Sequence, residues 1–297
     1  MMNKEPNTTN DEHNAPRVTV YRPNMRHELG FLDTWGEMAR NVWQARELIW
    51  QLFKRDFFAQ YKKSFLGITW IFLMPLVGII SWVFLNQAGV LSPGEMEVPY
   101  PVYILVGTTM WGLFIGLYNG ASNTLESGKA LIMQVSYPHE ALLFQQTAQQ
   151  AANFSIGFVL NLVILAVYGI WPHWTTILLP LAAIPLFLLA SAFGLIASMI
   201  KVVAMDISKM IQMGLGLLMF ITPVVYTMDK IENPLIHTLV RWNPLTYLVC
   251  SLRDLVLFGR LYDVTGYFIC AGISLLLFMI SWRLFYVSEG AIVERMV

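Results

Sequence analysis

The sequence predicts an all-α polytopic membrane protein with six transmembrane helices. Three observations predict it. Of the 297 residues, 56% are hydrophobic and only 13% are charged, against about 25% charged in a soluble domain. Charge vanishes over long windows, and a helix needs ~20 apolar residues to cross a hydrocarbon core. Finally, with the N-terminus inside, fifteen of the nineteen lysines and arginines fall on the cytoplasmic side, as the positive-inside rule requires. The formal net charge is zero, so nothing global points to nucleic acid.

Residues 1–38 read as a polar, flexible extension with Pro, Asn and Thr. No apolar core follows a basic start there, so no signal peptide is expected and the N-terminus stays cytoplasmic. Residues 39–63 read as an amphipathic interface helix. Ala45, Ile49, Leu52, Phe53 and Phe57 share one side, and Gln44, Glu47, Gln51, Lys54 and Arg55 the other. Arg46 interrupts the apolar stripe. Trp43, Trp50 and Tyr61 border it, where rings with a polar handle meet headgroups. Lys54, Arg55, Lys62 and Lys63 reach anionic lipid, each contributing about 1 kcal/mol near the surface. Such a helix lies flat on the inner leaflet.

A six-helix domain is expected over 64–284. Its charge-free windows are Ser64–Gly94, Val98–Leu125, Ala141–Ile200, Met210–Met228 and Val264–Trp282. The third holds two spans, cut at Trp171-Pro172-His173-Trp174, a helix breaker between interface-loving rings. Six crossings leave a cytoplasmic tail at 285–297. Between spans two and three, Asn123–Gln146 mixes charge with Leu131, Ile132 and Met133. It reads equally as a short amphipathic helix for a cytosolic partner or as a loop around Pro138. Between spans five and six, Trp242–Leu252 is apolar but too short to cross. Two short re-entrant external helices broken at Asn243-Pro244 fit it, and a surface hairpin is the alternative. Arg253 and Asp254 are placed to pair locally.

Much chemistry is missing. Gly128-Lys129-Ala130 fails as a phosphate loop, because Asn123 holds the first Gly position and Ala130 has no hydroxyl. The sequence has no HExxH, CxxC or nucleophile elbow, and the five histidines are scattered. Cys250 and Cys270 fit no metal or redox spacing and read as small hydrophobes. No catalytic residue, metal or cofactor is expected in this chain. No Asp, Glu, Lys or Arg falls inside a predicted span, which argues against ion coupling and against a membrane transferase. The energy is expected from another chain. What lines the spans is aromatic (Trp70, Trp82, Trp111, Phe114, Tyr118) and amide (Gln145, Gln146, Gln149, Gln150, Asn153, Asn161). Ring faces and amides suit carbohydrate, although rings also fill lipid and interhelical surface in most membrane proteins.

These motifs resemble the ABC-2 type permeases, and more narrowly the permease subunits of polysaccharide ABC exporters, which handle O-antigen, teichoic acid and capsule chains. The resemblance rests on Arg55-Asp56, Tyr61-Lys62, Leu66-Gly67, Trp70 and Pro75 leading into span one. It rests also on "NPLTYLV" before Arg253, and on Tyr137-Pro138 in the inner loop. It covers the chain from about residue 40 onward. It implies a homodimer in the bacterial inner membrane, served by two copies of an ATP-binding subunit that holds ATP and Mg. It implies a gate at the inner interface (Trp50, Lys54, Arg55, Tyr61, Lys62, Lys63) and a channel between two subunits, in which the aromatics Trp70, Trp82, Trp111, Phe114 and Tyr118 are the lining expected from the spans' own residues. It also implies an ATPase coupling segment (Glu126, Lys129, Tyr137, His139, Glu140) and an external gate (Asn243, Pro244, Tyr247, Arg253). The implied substrate is a lipid-linked polysaccharide, O-antigen first. The alternatives are an ABC-2 exporter of a drug or small lipid, and a membrane-embedded transferase.

Overall fold

The computed structural model describes residues 31–62, 65–67, 69–90, 96–127 and 140–296, and all regular structure among them is helical. Two helices precede the apolar part: α1 (Phe31–Gln44) and α2 (Arg46–Lys62). Helix α2 buries Leu52 and half-buries Ile49, Phe53 and Phe57, while Gln51, Lys54 and Arg55 are exposed. The amphipathic stripe therefore faces as its spacing predicts. Helix α1 starts inside the stretch assigned to the flexible extension. Its Met38 is buried, and Trp35 meets Trp282 edge-on at 5.2 Å. A polar average hides one apolar face, which is why composition alone missed this helix.

Gly67, in the left-handed region at φ +52°, turns the chain from α2 into α3 (Thr69–Gln87). Then come α4 (Tyr100–Ser122) and α5 (Glu140–Val167). The predicted break follows α5, with a 3-10 turn (Trp174–Leu178), the short α6 (Leu179–Ala182) and α7 (Ile184–Val203). Helix α8 (Met205–Ile221) leads to two short helices, α9 (Pro234–Trp242) and α10 (Pro244–Leu257), and to the long α11 (Val264–Met296).

Four segments are long and apolar enough to cross a membrane: Tyr100–Ser122, Ala141–Val167, Trp174–Val203 and Val264–Ser288. Phe72–Gln87 is a shorter apolar helix. The window expected at Met210–Met228 is shifted inward. Helix α8 begins at Met205, takes in Asp206 and Lys209, and stops at Thr222, one residue before Pro223. The boundary expected at residue 284 is not a break. Helix α11 runs on through Arg283, and Phe285 and Tyr286 are buried. Charge marks where water begins, whereas a helix ends only where its backbone bonds end.

Helix α4 is the central strut, packed against α7, α5, α10 and α3. Its Gly107 lies against the Val224 carbonyl, and Gly194 of α7 lies against Ala121 and the Tyr118 carbonyl. Small residues at these crossings let backbones approach, which lipid-embedded helices need. One core joins α4, α7 and α10. A second, at the other end of the bundle, gathers Met38, Leu125, Leu143, Leu195 and Phe285.

Candidate functional site

Glycine opens a cavity along the side of the bundle. Gly112, Gly116 and Gly120 recur every fourth residue, so they stripe one face of α4. A Cβ on Gly116 would sit 2.9 Å from Gln150 Oε1, so the stripe lets α5 lay its amides against α4. Pro75 lies inside α3 and removes one ladder hydrogen bond beside Gly78. Between α3, α4, α5 and Met219 of α8 these residues line an open cavity of about 450 Å³. The walls carry three rings (Trp82, Trp111, Phe154) and four polar side chains (Thr108, Thr109, Gln150, Asn153), with no ionisable group. Nearby, Asn161 donates to Thr109 Oγ1 at 3.0 Å. The cavity offers ring faces, donors and acceptors without charge.

Of the aromatics named from sequence, Trp82 and Trp111 line this cavity. Trp111 is only 7% exposed and tilts onto Phe114 at 5.4 Å. Phe114 and Tyr118 are buried in the core of the subunit, and Trp70 is exposed at the start of α3.

Toward α2 the amides continue as a seam. Gln145 Nε2 donates to Asp56 Oδ2 at 3.2 Å, and Gln60 Nε2 donates to Asn153 Oδ1 at 3.1 Å. Between them Gln149, 6% exposed, has no hydrogen-bond partner for either amide atom among the described residues. A buried polar group left so costs about 1–3 kcal/mol. On the outer side of α2, Trp50 stacks on Phe53 at 5.3 Å and carries Lys54 Nζ 4.9 Å over its ring. Arg55 Nε pairs with Asp56 at 2.6 Å. Tyr61 and Lys62 form the last turn of α2, and Lys63 lies outside the described residues.

Beyond the C-terminal end of α4, Glu126 meets Lys201 of α7 at 2.5 Å, and Lys201 also donates to Asn123 Oδ1 at 2.8 Å. Lys129, Tyr137 and His139 lie outside the described residues, and Glu140 opens α5.

The NPLTY motif builds the opposite end. Asn243 ends α9 and caps α10, its Oδ1 accepting from Leu245 N at 3.0 Å. Its Nδ2 donates to Thr222 Oγ1 at 2.8 Å. Pro244 takes the first helical position, where no amide is needed. The Tyr247 hydroxyl donates to the Arg241 carbonyl at 2.8 Å. Arg253 is 3% exposed. Its Nε meets Asp254 at 2.8 Å, its Nη1 donates to the Pro223 carbonyl at 2.8 Å, and its guanidinium lies 4.2 Å over Tyr103. The pair expected from sequence therefore forms, but buried, and it ties α10 to α4 and to the turn after α8. A pocket of about 390 Å³ opens beside it, between the Glu97–Arg260 ion pair and Asp229. Burial pushes the Tyr226 hydroxyl there up to about 12 and the Tyr262 hydroxyl up as well, so both remain neutral donors.

Sequence reasoning missed two things: the docking of α1 and the seam between α2 and α5. Asp56 and Gln145 lie 89 residues apart, so no local pattern joins them. Among the described residues no cluster of His, Cys, Asp or Glu is placed to hold a metal.

Comparison with known proteins agrees with these motifs. An O-antigen export system permease protein RfbA of Myxococcus xanthus is 26% identical over 250 residues, covering 84% of this chain and 95% of that protein. Its namesake from Klebsiella pneumoniae is 23% identical over 242 residues, 80% of this chain and 92% of its own. The polysialic acid transport protein KpsM of Escherichia coli is 22% identical over 257 residues, 86% and 98% respectively. The ABC-2 type transporter profile matches residues 47–257, which include α2, the cavity and the NPLTY helices. This chain belongs to the ABC-2 type transporter family.

Proposed function

We propose that the protein is the membrane permease of an ABC exporter that moves a lipid-linked polysaccharide, O-antigen first, out across the bacterial inner membrane. The observation that carries this reading is the uncharged cavity of rings and amides between α3, α4 and α5. A charged lining would suit an ion, and a plain apolar one a drug. Sugars stack their C–H faces on aromatic rings and hydrogen-bond through hydroxyls, and this lining supplies both. The relatives named for O-antigen and polysialic acid transport support the same class of substrate.

The chain itself provides passage. A separate ATP-binding subunit, in two copies, holds ATP and Mg and docks on the inner loop between α4 and α5. Glu126, Lys129, Tyr137, His139 and Glu140 belong to that region. Two permeases form the working unit, each crossing six times by α3, α4, α5, α7, α8 and α11, with both termini cytoplasmic. Helices α9 and α10 close the outer end as re-entrant helices. Trp50, Lys54, Arg55, Tyr61, Lys62 and Lys63 meet the lipid diphosphate at the inner interface.

The test is transport in inverted vesicles holding this chain with its ATPase. ATP is expected to drive uptake of a polyprenyl-diphosphate-linked oligosaccharide. Uptake without ATP, or of small lipids alone, overturns the reading. Reversing Lys54 and Arg55 to Glu is expected to lower surface glycan at least tenfold at unchanged protein level. Full export in that variant removes the headgroup role.

A further inference from the structure

Helix α5 carries Gln145, Gln149 and Asn153 at spacing i, i+4, i+8, which puts all three on one face about 6 Å apart along the axis. The outer two are engaged by α2: Gln145 donates to Asp56, and Asn153 accepts from Gln60. Asp56 and Gln60 are one helical turn apart on α2, whereas their partners are two turns apart on α5. The two helices therefore cannot stay in register. The middle station, Gln149, is left buried with both its donor and its acceptor unmet among the described residues. Asn153 also lines the cavity with Trp82, Trp111 and Gln150, so the row opens directly into it.

We propose that Gln145, Gln149 and Asn153 form a carbohydrate-binding track, which α2 covers in this structure. The carboxylate of Asp56 and the amide of Gln60 occupy the places of sugar hydroxyls. A hydroxyl donates and accepts at one oxygen, and the row offers both functions: a donor at Gln145, an acceptor at Asn153 and one of each at Gln149. When α2 swings aside, the sugars next to the lipid diphosphate lie along the row and pass at Asn153 onto the rings. This rests on the glycan reading and the gate above and adds the stations along α5.

The test is equilibrium binding to the full chain with its ATPase in lipid nanodiscs. The probes are a polyprenyl-diphosphate-linked hexose oligosaccharide and the same polyprenyl diphosphate without sugar. Gln149→Leu keeps the volume and removes a buried amide that has no partner, so its thermal midpoint is expected to match or exceed wild type. It is expected to bind the glycosylated lipid about tenfold more weakly, the worth of one hydrogen bond at the upper end of the usual range, and the bare lipid unchanged. Gln60→Ala, which uncovers Asn153, is expected to tighten the glycosylated lipid several-fold and leave the bare lipid as it was. Wild-type affinity of Gln149→Leu for the glycosylated lipid overturns the track, and so does an equal loss for both lipids. A wild-type protein that does not distinguish the two lipids overturns the glycan reading itself, and the track with it.

Discussion

Arg253 shows how much one side chain organises. Its guanidinium is desolvated, and it holds together Asp254, the Pro223 carbonyl and the face of Tyr103. Its three contacts lie on different sides of one planar fork, which an ammonium cannot reproduce. Removing one partner of a buried ion pair costs about 3–5 kcal/mol, because the other charge remains buried alone. Arg253→Ala is therefore expected to lose most of the folded protein, and Arg253→Lys to rescue little of it. Thermal midpoints in detergent check both. The sequence showed that Arg253 and Asp254 are neighbours able to pair. Their burial was not legible, because Tyr103 and Pro223 are supplied by α4 and the turn after α8, far away along the chain.

At the scale of elements, the crossing of α4 and α7 depends on Gly194. A Cβ there would meet Ala121 Cβ at 2.5 Å and the Tyr118 carbonyl oxygen at 2.7 Å. Backbone cannot step aside as a flexible side chain can. Gly194→Ala is expected to destabilise by about 1–3 kcal/mol, read as a lowered thermal midpoint, while Gly112→Ala, with open space at its Cβ, leaves the midpoint within error. The helices themselves were largely legible. The stripe on α2, the interruption at Pro172 and the pair of helices meeting at Asn243-Pro244 follow from spacing and helix breakers. The limits of α8 and α11 were not, since those were drawn at charges. Asp206 and Lys209 sit in the first turns of α8, where a charge costs a helix little once it reaches water, and Arg283 sits in the body of α11, where a long stem can carry its charge to water.

Across the whole molecule, the two buried cores lie toward opposite ends of the bundle, with the amide cavity along its side. The second core joins α1 to α5, α7 and α11 through Met38, Leu143, Leu195 and Phe285. Met38→Asp, which buries a charge there, is expected to release α1 and to lower transport by the ATPase-bound complex more than it lowers the amount of folded protein. Protease sensitivity of the first 50 residues together with vesicle uptake measures this. The resemblance to polysaccharide permeases was legible because motif residues perform local tasks: Gly67 turns, Asn243 caps and Pro244 starts a helix. The amide track was not, because its meaning lies in which amides α2 leaves unmet.

Helix α11 has 33 residues without a proline, a length of about 50 Å at 1.5 Å per residue, against ~30 Å of hydrocarbon. Near its start Gly266 packs on the ring of Tyr247 in α10, and further along Trp282 and Phe285 pack with Met38. The helix is unbroken and lacks the proline that most often kinks one. It therefore forms one continuous rod between the Met38 core and the Tyr247 ring. A shift imposed at the Met38 end is expected to reappear beside Tyr247, so the two ends of the rod have no independent timing.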